Sequence, residues 1–168
     1  CTGYETFPAI PKRRYDLIST WALATKRLPD ALLDTLVPGR PIIWEQSKPY
    51  LYLRTTRDGR IVAGGEDADF ASPARRDALI VRKRKAILRK LQAFLPAFDA
   101  GVEYAWAGTF AESPTGLPAI GPVPGLSDVF VTLGAGGNGI TYSAVAAGMA
   151  RAWVEGRRHP DMSLFRFD

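Results

Sequence analysis

Four glycines, Gly134, Gly136, Gly137 and Gly139, fall within six residues of the stretch VFVTLGAGGNGITYS. Three of them spell G-x-G-x-x-G, directly after an apolar strand-like run and directly before a helix-like one. That spacing is the fingerprint of a dinucleotide-binding βαβ unit, in which glycines let the backbone approach a phosphate and a helix start supplies unpaired N–H groups. A working unit needs a second strand carrying an acidic residue about twenty positions further on. Here the helix ends near Gly156 and only RRHPDMSLFRFD follows, so the simple reading fails. Two readings of the loop stay open. Either it is a tight strand-to-helix turn, or its bare backbone and the helix start meet a flat or anionic ligand. Four glycines exceed what one turn requires, which favours the ligand.

The other chemistry-bearing residues are few. His159, the only histidine, sits in a polar tail and reads as surface with no catalytic role. A lone cysteine excludes an internal disulfide framework and a cysteine-based zinc site, fits a reducing compartment, and leaves no metal site to expect. The chain opens on Cys1 with no methionine and no signal peptide, so it reads as a piece of something longer, expected in the cytoplasm.

Those residues need elements to hold them. With 168 residues, 46% hydrophobic and 23% charged, the chain can bury a core and has no apolar run of membrane-span length. The pattern predicts a strand through DLISTWALATKRL, with Trp21, Leu23 and Thr25 on the packed face, and a turn-rich connection at PDALLDTLVPGRP. A hairpin follows, YLYLRTT and RIVAGG around Asp58-Gly59, expected as a type I′ turn. An amphipathic helix runs from about Arg76 to Leu95, stopped at Pro96. VEYAWAGTF is a strand, ESPTGLPAIGPVPG an irregular segment, VFVTLGA a buried-type strand, and the last helix spans about 139–155 with Gly156 as its cap. Strands and helices do not alternate regularly, so the class is α+β with a largely antiparallel sheet.

The net charge of +5 comes mostly from RKRKAILRK, the outer face of the amphipathic helix. It reads as solvated surface; the alternative is a small basic nucleic-acid-binding or assembly module with no cofactor. No other feature of a nucleic-acid module is present, so no nucleic-acid partner is expected.

LISTWALATKRL, DGRIVAGGED, WAGTFAESPTGLPAIGPVPG and LGAGGNGI, in this order and spacing, resemble the C-terminal half of FAD-dependent amine and amino-acid oxidoreductases, the family of glycine, sarcosine and D-amino-acid oxidases and D-amino-acid dehydrogenase. The resemblance covers essentially the whole chain. It implies a mixed, mainly antiparallel substrate domain with flanking helices, plus the last strand and helix of a Rossmann-like FAD domain. On that division 1–15 ends a cofactor-domain strand and crosses over, 16–125 is the substrate domain, and 126–168 returns to the cofactor domain. The missing N-terminal FAD domain would be the chief partner, and the fragment alone would be inactive and able to self-associate.

The resemblance also implies a cofactor, FAD, and a reaction, hydride removal from an amine or amino acid to flavin N5. Gly136, Gly137, Asn138, Gly139, Ile140 and Thr141 would meet the pyrimidine end of the flavin, with the amides of about Gly139, Ile140 and Thr141 stabilising charge at N1 and the C2 carbonyl. Relatives resembling glycine oxidase carry an arginine where this chain has Phe110, and it clamps the substrate carboxylate. Phe110 cannot make that pair. So either another residue recognises the carboxylate, Arg54 beside Tyr52 being the candidate, or the substrate lacks one there. Tyr104 and Trp106 face the flavin pocket or the core, with Trp106 also a substrate-contact candidate, and Asn138 and Tyr142 are open in the same way.

Overall fold

The computed structural model describes residues 15–46 and 48–166. The expected strand end and proline breaks of 1–14 lie outside them. The chain divides into two compact units, one of Ser19–Gly108 and one of 15–18 with 109–166 among the described residues. None of the described helices is long and apolar enough to cross a membrane.

The first unit is organised on a five-stranded sheet in the order β2-β3-β4-β1-β5. Its strands are β1 (Asp16–Thr25), β2 (Ile43–Trp44), β3 (Leu51–Thr55), β4 (Ile61–Ala68) and β5 (Val102–Glu112); β1 and β5 run on past the unit. β3 pairs antiparallel with both β2 and β4, and β4 with β1. The predicted hairpin is β3–β4, with Arg54 opposite Val62 and Thr55 opposite Ile61. Its turn differs from expectation. Only Gly59 has positive φ, and Gly59 N donates to Thr56 O while Thr56 N donates to Arg60 O, so the loop closes through a single left-handed glycine rather than a type I′ pair.

Three helices accompany the sheet: α1 (Asp30–Leu36), α2 (Pro73–Ala78) and α3 (Ile80–Phe94). Sequence reading made α1 a connection. Its Leu33 is fully buried, and Arg40 ties Asp30 and Asp34 at 2.7 and 2.8 Å, which closes the segment on itself. The expected single helix from Arg76 is broken at Leu79; Ser72 caps α2 with Pro73 at its first position. Ile87, Leu91 and Leu95, spaced by four, put one α3 stripe into a core with Trp21, Leu23, Leu53 and Ile61. β1 is buried on both faces from Trp21 to Thr25, so its alternation does not mark a single packed side.

The basic α3 face is less solvated than its composition suggests. Lys83 and Lys90 reach Glu66 at 3.5 and 2.7 Å, with Lys83 also 4.7 Å over the Trp21 ring. Burial works against the Glu66 carboxylate ionising, but the Lys90 hydrogen bond and both lysine charges outweigh it and hold the carboxyl below its ordinary value. The sign follows: stability from this group is present above the unfolded carboxyl pKa, about 4.3, and lost as pH falls through the lower folded value. We expect the urea midpoint to drop at acid pH and the Glu66→Gln variant to lose part of that dependence; superimposable pH profiles would refute the linkage.

Candidate functional site

The second unit contains the glycine loop. β6 (Ala119–Val123) and β7 (Leu126–Leu133) form an antiparallel pair, with Ala119 opposite Leu133. β6 was expected to be irregular. Its Gly121 and Pro122, with Pro124 just past its end, are turn formers, yet an edge strand tolerates proline because no second neighbour needs the N–H. β7 is mostly half-exposed, with only Leu133 fully buried, so it is not the buried-type strand expected. After β7 come a 3-10 turn, Gly136–Asn138, and the 16-residue helix α4 (Gly139–Val154), close to the predicted bounds. Gly156, at φ +68, follows its end as a left-handed cap.

The four glycines divide into two pairs. A β-carbon at Gly134 would overlap the Tyr15 ring, and Gly134 and Gly136 both hold positive φ, +71° and +55°. Packing and turn geometry account for these two. Gly137 and Gly139 are different: neither has positive φ, and a β-carbon on either would meet no atom within 4 Å. Gly139 is already helical, at φ −53° and ψ −39°. The packing of the described residues gives no reason for glycine at either position.

Around them the surface is open. Asn138 and Thr141 are exposed, Ile140 is 92% exposed, and Asn138 begins α4 without a side-chain capping bond. Tyr142 is half-buried, its ring edge-on to Phe165 and its hydroxyl 3.4 Å from Gly116 O, which makes it a packing residue. Beside the loop is a cavity of about 180 Å³ lined by Thr109, Phe110, Ala111, Thr132 and residues 134–136. Glu112, one residue beyond, forms a β-bridge with Ala135. Its carboxylate oxygen lies 3.8 Å from where a Gly136 β-carbon would be. Among the described residues no cationic side chain lines the cavity. Phe110 and Gly136 thus share one cavity, and Glu112 is an acidic neighbour that sequence reasoning missed.

Tyr52, Arg54 and Trp106 belong to the first unit. Leu51 and Leu53 enter the core, so strand alternation puts Tyr52 and exposed Arg54 on the opposite sheet face. Ala105 and Ala107 pack on the core, which turns Tyr104 and Trp106 to that same face, 55% and 44% exposed. Tyr52 lies across Gly64, where a β-carbon would overlap its hydroxyl. Burial, then the Asp67 charge, raises the Tyr52 phenol above its ordinary value, against a hydrogen bond with Thr20. Trp44, opposite Tyr52 and 62% exposed, extends this aromatic face and was not anticipated, because a two-residue strand has no readable period. His159 is half-buried, its Nδ1 accepting from Asp161 N at 3.3 Å at the head of a 3-10 turn, so the tail is folded.

Comparison with known proteins now bears on this geometry. The chain is 34% identical over 79 residues, 42% of its length, to the tRNA 5-methylaminomethyl-2-thiouridine biosynthesis bifunctional protein of Polaromonas naphthalenivorans. It is 31% identical over 119 residues, 64% of its length, to the glycine oxidase of Pseudomonas putida. It spans only 12% and 31% of these two relatives. Among solved structures, iminodiacetate oxidase from a Chelativorans species superimposes with a TM-score of 0.74 at 18% identity, over 91% of this chain and 40% of that one. Glycine oxidase from Geobacillus kaustophilus gives 0.70 at 18%, over 92% and 40%. At such identities the likeness is one of fold, and it agrees with the α+β class. The profile of the FAD dependent oxidoreductase (DAO) family matches residues 1–153. The chain therefore belongs to the FAD-dependent oxidoreductase family, whose cofactor is FAD.

Proposed function

We propose that this chain is the part of an FAD-dependent amine oxidoreductase that meets the flavin ring and the substrate, and that residues 136–141 make the flavin contact. One observation carries the reading: Gly137 and Gly139 are bare, open and unexplained by the chain's own packing. A flat group can rest against backbone there. Bound FAD supplies the hydride acceptance of the reaction. The chain's part is electrostatic: the first-turn amides of α4 and its positive dipole end favour an electron-rich ring edge over a neutral one. The chain spans a minor share of its relatives, and the reaction is assigned to the whole protein, with the fragment alone inactive.

The cavity beside the loop narrows the substrate. Among the described residues Phe110 lines it without any cationic side chain, so none of them pairs a carboxylate there, while the Glu112 carboxylate is close by. The substrate we assign is an amine lacking a carboxylate at that position.

The test is expression of the whole reading frame containing this chain. The expected product is yellow, absorbing near about 450 nm as flavins do, and is bleached anaerobically by simple primary or secondary amines more readily than by glycine or D-alanine. Phe110→Arg should shift that preference toward the amino acids. Colourless protein would sink the flavin reading; preferential bleaching by amino acids would sink the substrate assignment alone.

A further inference from the structure

Glu66 and Asp67 are neighbours in β4, and the sheet sends them to opposite sides. Glu66 meets Lys83 and Lys90 of α3, on the side of the core. Asp67 instead accepts a hydrogen bond from the Tyr50 hydroxyl. Tyr50 and Tyr52 alternate with the core residues Leu51 and Leu53, so both rings stand on the open sheet face, and Asp67 stands with them. The two ring centroids are 6.3 Å apart, and the Trp44 ring, from the neighbouring strand, is 6.3 Å from that of Tyr50. Trp44 is exposed, which opens this aromatic group to solvent on one side. All of these residues belong to the first unit.

Only one of the two Asp67 oxygens is satisfied. Tyr50 serves Oδ2, while Oδ1 is buried and, among the described residues, has no hydrogen-bond partner. A carboxylate oxygen buried without a donor is costly, which points to a group that brings one. The lysines of α3 do not serve it: both pair with Glu66, and Lys90 also donates to Pro49 O. After burial, the Asp67 charge is the next cause that raises the Tyr52 phenol, so the field of the carboxylate reaches that ring. An acceptor short of a donor, set among aromatic rings, is the chemistry of an organic ammonium site. The carboxylate takes the N–H groups and the rings attract the cation. An anion would be repelled by the same set, and an apolar ligand would leave the oxygen unmet. An alkylammonium carries three N–H donors where the Tyr50 hydroxyl has one, so from the hydroxyl's place it can serve both oxygens.

We propose that Asp67 binds the ammonium group of an alkylamine on the open sheet face of the first unit, with Trp44, Tyr50 and Tyr52 as its aromatic wall and the ligand displacing the Tyr50 hydroxyl. The site rests on the geometry of that unit alone and stands apart from the flavin reading.

Calorimetric titration of the protein from the whole reading frame with tert-butylammonium, at low salt, tests it. The carbon bearing the nitrogen of this probe has no hydrogen, so hydride removal cannot add heat. Pivalate, an anion of matching shape, is the second arm. Saturable heat is expected with tert-butylammonium and none with pivalate. Asp67→Asn should weaken ammonium binding about tenfold or more, with near-UV circular dichroism unchanged, and Trp44→Leu about two- to fivefold. Tyr50→Phe keeps the ring and removes the competing hydroxyl, so it should bind as tightly as the parent or more so. Asp34→Asn on α1, which removes the same charge elsewhere, should leave the affinity as it was. The proposal is overturned by linear heats with tert-butylammonium, by equal saturation with pivalate, or by equal weakening in Asp34→Asn. Lost binding in Tyr50→Phe would also overturn it, making the Tyr50–Asp67 bond a contact of the fold. So would binding lost in Phe110→Arg and kept in Asp67→Asn, which would move the cation to the cavity beside the glycine loop.

Discussion

Replacing Gly137 and Gly139 together with alanine is expected to weaken FAD binding about tenfold or more, roughly 1.4 kcal/mol at the least, while the unfolding midpoint of the apoprotein stays level or rises. The two halves of this result have separate causes. Without cofactor, neither new β-carbon touches any described residue, and neither position holds positive φ. Alanine at Gly139, inside α4, also removes the entropic cost of a helical glycine, about 0.5–1 kcal/mol. On the proposed flavin contact, the same methyls in the holoprotein would occupy the space where a ring edge approaches backbone. A turn role predicts the reverse pattern, lost stability with cofactor affinity following passively. Flavin fluorescence on titrating FAD into apoprotein, beside urea curves of the same samples, separates the two. Undiminished FAD affinity in the double variant would remove residues 136–141 from the cofactor site.

How much of this was readable before any coordinates follows from the kind of signal each element carries. α4 was legible because a glycine loop, an alanine-rich run and Gly156 mark both ends. The β3–β4 hairpin was legible from Asp58-Gly59, although the turn type was not, since one residue's φ decides it. β6 was illegible for a physical reason: Gly121 and Pro122, with Pro124 just beyond, are punctuation in most contexts, and only an edge position lets the first two join a strand. α1 was missed because seven residues carry too little period to outweigh Pro29 and Pro38.

The candidate site was legible in its glycines and not in its division of labour. Sequence could count four glycines, but only the position of the Tyr15 ring and the φ angles separate the structural pair from the open pair. Glu112 was invisible because its proximity to the loop is made by a bridge distant in sequence, and Trp44 because a two-residue strand carries no readable period. The same holds for Lys83 and Lys90, whose basic run conceals that both serve Glu66.

That pairing rests on a bulge, and breaking the bulge should be the most destabilising single change here. Between Ser19↔Ala68 and Trp21↔Gly65, two steps along β1 are matched by three along β4, so β4 carries an extra residue. Gly65 and Glu66 absorb it at φ +135° and +60°. The kink is what sends the Glu66 carboxylate to Lys83 and Lys90, tying α3 to the sheet, while Tyr50 donates its hydroxyl to Asp67 next along. A β-carbon on Gly65 would overlap the Tyr50 carbonyl oxygen and lie 3.2 Å from its carbon, both backbone atoms of the paired strand. Neither strand can yield without breaking the ladder, and the residue would also sit at a φ that side chains avoid. Strain and overpacking together put Gly65→Ala at about 3–5 kcal/mol, a large share of the roughly 5–15 kcal/mol of a typical domain. Glu66→Gln, which keeps the bulge and removes the charge, should cost less. Urea unfolding of the two variants, with amide exchange across α3 as the local readout, tests the ordering. A Gly65→Ala protein within about 1 kcal/mol of the parent would mean that β3 and β4 are not held in this register.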